Sequence, residues 1–461
     1  MKRRLVTVLM LLSALATAQQ PDFAAAKAEA TKLLQELVRI DTSNPPGNEI
    51  KAAEYIKGVL AKEGIASEIV ESAPGRASLI ARLKGNGSKQ PLLLLGHLDV
   101  VGVERARWTV DPFAAEIHSD GYMYGRGSSD DKAMDAANLE VFLLLHRMKV
   151  PLDRDVILLA EAGEEGTTQF GIDYVVANHW EKIACEYALN EGGDFALQPN
   201  GKLAYAGVAP TQKLPRGLKV TARGSSGHGS MPRLDNPITH LSAAIAKIGA
   251  WQAPVRLNET TRAFFEQLAK ISPPEKAWYY THLDDPKTEA YLRAHEIGLN
   301  SMLRTSIVPT IIRGGFRENV IPAEAEATLD VRALPDEDID ALIATLKQLV
   351  NDPAVEITRL EGGQKRPRAT PSRLDTEMFQ ALARAQKKVW PEAVTVPVLQ
   401  VGATDSAQLR AKGVQAYDIG VPETDEDDKR VHGNDERVNV EQLGKFTEYL
   451  WAVTVDIAGH K

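Results

Sequence analysis

The stretch LLLLGHLDVVG, Leu92 to Gly102, decides how the rest of the chain is read. Four leucines run into a glycine without a polar break, as in a strand buried on both faces. His97 and Asp99 follow two residues apart, on the same side if the chain stays extended. Two more apolar runs end in the same way, RDVILLAEAGEEG at 154–166 and CEYALNEGG at 185–193, each closing on acidic residues and glycine. Between the first and second, DKAMDAANLEVFLLLHRMK at 131–149 reads as a long helix opened by the acidic pair Asp130-Asp131. Buried strands alternating with helices predict an α/β sheet flanked by helices.

Upstream, FAAAKAEATKLLQELVRIDT reads as a helix with Leu33, Leu34, Leu37 and Val38 on one face, and NPPGN at 44–48 ends it. ASEIVES and ASLIARLKG read as strands. At the start, Lys2, Arg3 and Arg4 precede an apolar run from Leu5 to Leu15 and the small residues Ala16-Thr17-Ala18. This predicts a signal peptide over residues 1–18, an exported protein (periplasmic or secreted), and no stable membrane anchor after cleavage. The single cysteine, Cys185, excludes an internal disulfide and reads as a buried structural thiol. A net charge of -8 argues against a nucleic-acid partner.

The pattern changes near residue 212. GLKVTARG, TSIVPTIIRGG and AEAEATLDVRAL read as strands, the last with Ala325, Ala327, Leu329 and Val331 on one face and Glu326, Thr328, Asp330 and Arg332 on the other. A solvated face predicts an antiparallel sheet. NPITHLSAAIAKIGAW and DEDIDALIATLKQLV are its helices, AVEITRLEG a closing strand, and 252–305 a less regular helical stretch. From about 370 the earlier style returns, with helices at DTEMFQALARAQKKV and NVEQLGKFTEYLWAVTVDIA and a strand at VQAYDIGV. The expected units are 19–211 and 367–461 for a discontinuous α/β domain, with 212–366 inserted.

Polar residues gather where ligands collect in such sheets, at the carboxyl ends of strands. His97 and Asp99 follow one strand, Glu164 and Glu165 another, Glu191 a third; Asp130 opens a helix and His432 lies past the last strand. So many ionisable groups together need compensating charge, which a divalent cation supplies. Histidine with carboxylate suits zinc, with Asp99 placed to accept the second ring N–H of His97. Taken singly, each residue also has a plain structural reading, and spacing alone leaves both open. No H-E-x-x-H, paired C-x-x-C or G-x-S-x-G occurs, so a serine or cysteine hydrolase lacks its nucleophile motif.

GHLDVV, DPFAAEIHSDGYMYGRGSSDDK, EAGEEG, ALNEGG, GHGSMP, ENVIPAEAEATLDVR and HGNDERV occur in one order. Over about 28–455 the chain thereby resembles the M-twenty metallopeptidase family of aminoacylases, Gly-Xaa and glutamate carboxypeptidases and succinyl-diaminopimelate desuccinylase. The resemblance implies a zinc-peptidase-like mixed sheet with an inserted ferredoxin-like lid, through which such chains form homodimers. It implies two Zn2+ ions, with Co2+ or Mn2+ as substitutes. Asp130 bridges them, His97 and Glu191 complete one site, and Glu165 and His432 complete the other. Glu164 is the implied general base, Asp99 orients His97, and His228 meets the oxyanion from a neighbouring subunit. Asn319 and Arg332 match positions that contact substrate, the arginine receiving a carboxylate. Ala133 and Gly163 depart from the family pattern, which has glycine and aspartate there, but neither removes a ligand.

The expected activity is hydrolysis of an amide bond beside a free carboxylate, as an exported carboxypeptidase or dipeptidase acting on small peptides. The alternative is an amidohydrolase acting on an N-acyl amino acid. A third reading, a non-catalytic binding protein on a peptidase fold, sits poorly with filled ligand and base positions.

Overall fold

Leu92–His97 is an inner strand of a nine-stranded sheet, and all six of its residues are buried. The computed structural model that gives this arrangement describes residues 20–362 and 366–460. The leader expected over 1–18 lies outside the described residues. Leu92 and Leu94 enter one hydrophobic core and Leu93 and Leu95 another. Successive side chains of a strand point to opposite faces, so four leucines in a row serve both helical layers at once. Each buried leucine contributes roughly 1.5–3 kcal/mol, which fixes the end of the strand in place.

Across the sheet the order is Asp194–Leu197, Leu203–Gln212, Gln415–Asp418, Tyr187–Asn190, Leu92–His97, Val156–Glu161, Arg76–Leu83 and Ser67–Ala73, with Val394–Gln400 beside Leu203–Gln212. The strands Gln415–Asp418, Tyr187–Asn190, Leu92–His97 and Val156–Glu161 run parallel, and Arg76–Leu83 and Leu203–Gln212 flank them antiparallel. The sheet is therefore mixed, and its parallel strands end along one edge. The helices Phe23–Arg39, Lys132–Arg147, Glu377–Val389 and Val440–Ala458 cover the Leu92 and Leu94 face. Lys132, fully buried, donates from Nζ to the carbonyls of Leu37 (3.0 Å) and Ile40 (2.8 Å). It thus reinforces the acceptors at the end of helix Phe23–Arg39. Burial lowers its pKa to about 8. Cys185 is buried too, its thiol pushed up to about 12 by desolvation, and is unsuited to nucleophilic chemistry.

A second sheet is wholly antiparallel. Val355–Arg359, Leu218–Arg223, Glu324–Ala333 and Ser306–Gly314 lie in that order, with Leu214–Pro215 also on Glu324–Ala333. Helices Pro237–Ala250 and Ile339–Val350 pack against one face through Leu241, Ala244, Leu342 and Leu346. Strand Glu324–Ala333 alternates along its length, Ala325, Ala327, Leu329 and Val331 being buried and their neighbours at least partly exposed. Strands and helices follow one another as β-α-β-β-α-β, the ferredoxin-like succession.

The stretch 252–305 forms four helices, Glu259–Ile271, Pro274–Thr281, Pro286–His295 and Ile297–Met302. Prolines at the start of the second and third, and a capping box between Asn258 and Thr261 on the first, set their boundaries. Phe264, Phe265 and Leu268 share a core with Val396, Val398 and Leu399 of the large sheet. This segment therefore covers strand Val394–Gln400 of the first sheet, although the chain inserts it into the second. Among the described residues no helix is long and apolar enough to cross a membrane.

Candidate metal centre

Each of the acidic and histidine positions singled out in the sequence at strand ends lies at the carboxyl edge of the parallel strands. His97 ends its own strand; Glu164 and Glu165 follow Val156–Glu161, and Glu191 follows Tyr187–Asn190. Asp130 precedes helix Lys132–Arg147, and His432 sits in the loop before Arg437–Asn439 with a left-handed backbone, φ 60°. Asp130 offers one oxygen to each imidazole: Oδ1 lies 3.0 Å from His97 Nε2 and Oδ2 lies 2.9 Å from His432 Nε2. Glu191 Oε1 is 3.9 Å from His97 Nε2, and Glu165 Oε1 is 2.9 Å from His432 Nε2.

Two donor sets result, His97/Asp130/Glu191 and Asp130/Glu165/His432, each with its donor atoms within 4.8 Å of one another. A third set, His97/Glu164/Glu165, places Glu164 beside both. One imidazole with two carboxylates per set is a donor chemistry that divalent zinc accepts. The electrostatics point the same way. Burial, with Glu164 and Asp130 as neighbours, pushes Glu191 well above the usual carboxylate range. Burial together with Asp130 raises Glu165 to about 7. Divalent cations in the two sets would remove this mutual repulsion, so the residues fit metal.

Asp99 meets His97 through both its main chain and its carboxylate. The His97 Nδ1 partner at hydrogen-bond distance is the Asp99 carbonyl, at 2.9 Å, while the carboxylate Oδ1 stands 3.6 Å away. That carboxylate also accepts the backbone N–H groups of Glu164 (3.0 Å) and Glu165 (3.2 Å) and the side-chain amide of Asn44 (2.7 Å). Asp99 therefore holds His97 by its carbonyl, with its carboxylate beside the same ring nitrogen, and shapes the Glu164-Glu165 turn through its side chain.

Several residues absent from the sequence reading complete the surroundings. Arg366, fully buried, donates from Nη2 to Glu164 Oε1 and from Nη1 to Asp405 Oδ1. Its guanidinium thus orients the carboxylate beside the donor sets. Glu436 Oε1 accepts the backbone N–H of Ser129 (3.0 Å) and Asp130 (3.2 Å), and Oε2 pairs with Arg126. Arg126 also donates to the Gly433 carbonyl at 2.6 Å. The buried Arg126–Glu436 pair thereby ties the loop carrying His432 to the loop carrying Asp130.

The positions expected to contact substrate have no contact with this cluster among those of the described residues. His228 is exposed on the short strand Gly227–His228, which pairs with Val320–Ile321, and Gly229 N–H donates to the Asn319 carbonyl at 2.9 Å. These two positions are therefore neighbours. His228 Nδ1 accepts from Ser230 N–H at 3.1 Å and lies 2.8 Å from Ser230 Oγ. Arg332, on the solvated side of Glu324–Ala333, bonds from Nε to Asp330 Oδ1 at 3.0 Å.

With this geometry in place, the comparisons with known proteins are specific. Human N-fatty-acyl-amino acid synthase/hydrolase PM20D1 is 29% identical over 447 residues, covering 92% of this chain and 86% of its own. The probable carboxypeptidase S-like 2 of Dictyostelium discoideum is 28% identical over 389 residues, covering 81% and 73%. The fold matches human carnosine dipeptidase 1 with a TM-score of 0.72 at 16% identity, over 94% of this chain and 97% of that one. The profile of Peptidase family M20/M25/M40 matches residues 93–455, a span that holds all five donor residues. The chain belongs to Peptidase family M20/M25/M40 and is a hydrolytic enzyme of that metal-dependent family.

Proposed function

We propose that this enzyme hydrolyses the amide bond of an N-acylated amino acid whose carboxylate is free, the acyl part being either a peptide or a fatty or other carboxylic acid. The observation that carries the reading is the Asp130 carboxylate, with one oxygen toward each of two imidazoles and Glu164 alongside. His97, Asp130 and Glu191 would hold one zinc ion, and Asp130, Glu165 and His432 a second. Ions held there supply Lewis acidity.

Glu164 takes the proton of the attacking water and passes it to the leaving amine. Arg366, bonded to both Glu164 and Asp405, keeps that carboxylate aimed. The Asp99 side chain fixes the backbone from which Glu164 projects. Arg332, released from Asp330, receives the substrate carboxylate as a guanidinium fork, with Asn319 beside it. His228 completes the oxyanion site of a partner copy. The homodimer reading is supported by strand Ser306–Gly314, which pairs on one side with Glu324–Ala333 and exposes Val308, Ile311 and Ile312. The leader sequence supports export.

The peptidic and acyl readings share this chemistry and differ in what fills the acyl side. The names of the two sequence relatives favour neither alone, one being an acyl-amino acid enzyme and the other a probable carboxypeptidase. The test is a screen of zinc-reconstituted enzyme over dipeptides and N-acyl amino acids, each as free acid and as C-terminal amide. Free acids should be cleaved and their amides should not. Equal cleavage of both forms would remove the carboxylate from the proposal, and no cleavage of any would remove the activity.

A further inference from the structure

A polar cavity that none of the metal-centre residues lines lies where the chain crosses between the two sheets. Its volume is about 390 Å3, and its lining includes Arg216, Arg359, Arg368, Glu337 and Asp338. The outgoing crossing supplies Arg216, the end of strand Val355–Arg359 supplies Arg359 and the return crossing supplies Arg368, so the cavity stands between both connections.

The charges in it do not cancel. Arg359 is paired with Asp340, Nη2 to Oδ1 2.7 Å. The hydrogen bonds of Arg216 go to main-chain carbonyls, those of Pro215 (2.7 Å) and Arg366 (2.9 Å). Arg368 donates to the carbonyl of Glu337. The two carboxylates in the lining are engaged elsewhere. Glu337 accepts from Thr305 Oγ1 and lies 3.3 Å from Arg256 Nη2. Asp338 caps helix Ile339–Val350 by accepting the N–H groups of Asp340 (2.9 Å) and Ala341 (3.1 Å).

Among the described residues, Arg216 and Arg368 thus have no side-chain carboxylate as an ion-pair partner, and Arg216 is half-buried. Burial, with Arg368 and Arg359 as like-charged neighbours, pulls the Arg216 pKa down, the mark of a cation short of a counter-charge. Removing a guanidinium from water without an anion is costly, and the planar forks of Arg216 and Arg368 match the paired oxygens of an oxyanion.

We propose that this cavity is a binding site for a small molecule bearing an oxyanion, a phosphate or a carboxylate, held by Arg216 and Arg368 with Arg359 at the rim. The ligand joins residues of both crossings, and its room exceeds that of a bare tetrahedral anion. It is separate from the proposed substrate positions, none of which lines the cavity.

The test uses the full zinc-loaded enzyme and isothermal titration with sodium sulfate, glycerol phosphate and succinate, against sodium chloride at matched ionic strength. Sulfate should bind saturably and raise the thermal midpoint with concentration, as a ligand of the folded state does. The stronger of the other two names the head group. Arg368→Gln, an exposed position that leaves the fold undisturbed, should weaken binding by about tenfold or more, and Arg216→Gln at least as much. His97→Ala, in the metal centre, should leave it unchanged. Chloride-like behaviour of all three anions overturns the proposal, and so does binding that survives Arg368→Gln and disappears in His97→Ala.

Discussion

Replacing Arg366 by methionine tests how the Glu164 carboxylate is held. Arg366 and Asp405 are each 1% exposed and Glu164 7%, and the guanidinium spans the two carboxylates. Breaking a buried pair by removing one partner typically costs about 3–5 kcal/mol, because a buried charge is left uncompensated. Methionine fills much of the volume, so packing loss adds little. The pH dependence has a definite sign. Burial already holds Glu164 above the usual carboxylate range, with Arg366 as the largest opposing influence. Without Arg366 its folded pKa rises further, and the native state then binds more protons than the unfolded one between the two pKa values. Stability therefore falls as pH rises through that window, and the deficit of the variant is largest at high pH. Metal-free wild type and Arg366→Met are compared by urea unfolding, followed by tryptophan fluorescence and fitted with a common slope. The expected deficit is about 3–5 kcal/mol near pH 8.5, shrinking by ~1 kcal/mol or more near pH 5.5. A deficit under ~1 kcal/mol at both values would refute the bridging role, and a large one that ignores pH would refute the carboxylate argument.

Glu164→Gln should lower kcat by about 10²–10⁴ with bound zinc unchanged, whereas Asp130→Asn should lose metal from both sets; zinc content by atomic absorption beside turnover separates the two. Lys213, fully buried and bonded to Ser301 Oγ (2.9 Å) and Ser306 Oγ (3.0 Å), has its pKa lowered to about 7 by burial and by Arg332 and Arg304. The native state then binds fewer protons than the unfolded chain, so stability rises from about pH 7 toward pH 10 by up to ~1.4 kcal/mol per unit. Lys213→Met should flatten that rise, and an unaltered profile would count against it. Ile312, 62% exposed on strand Ser306–Gly314, should be a dimer contact. Ile312→Lys should shift the sedimentation coefficient from dimer to monomer, and a wild type that sediments as a monomer would dispose of the reading.

The inner strand was legible because apolar alternation over two faces leaves no polar position, which is what Leu92–Leu95 display. The donor residues were legible as types at strand ends, and the order of seven motifs assigned them to sets. The main-chain contact made by Asp99 was not, because the strand stops at His97 and the two-residue rule lapses where the backbone turns. Arg366 lies 202 residues from Glu164 in an irregular segment, and no periodicity connects them. Strands Leu203–Gln212 and Val394–Gln400 escaped because Gly207 and Pro210 interrupt one and Pro397 the other. Helix Ile50–Lys62 directly follows the NPPGN turn and contains Gly58, both of which weaken its pattern.

The Arg126–Glu436 pair bears on when the centre comes into being. His97, Asp130, Glu165 and Glu191 are supplied by the first part of the chain, and His432 arrives only after the whole antiparallel unit has been made. During synthesis one donor set gains its imbalance of charge early, while the other has no imidazole until the loop held by Arg126 closes. Any metal uptake by the second set would therefore report on the completed long-range closure of the chain, since before it Asp130 and Glu165 stand without their imidazole.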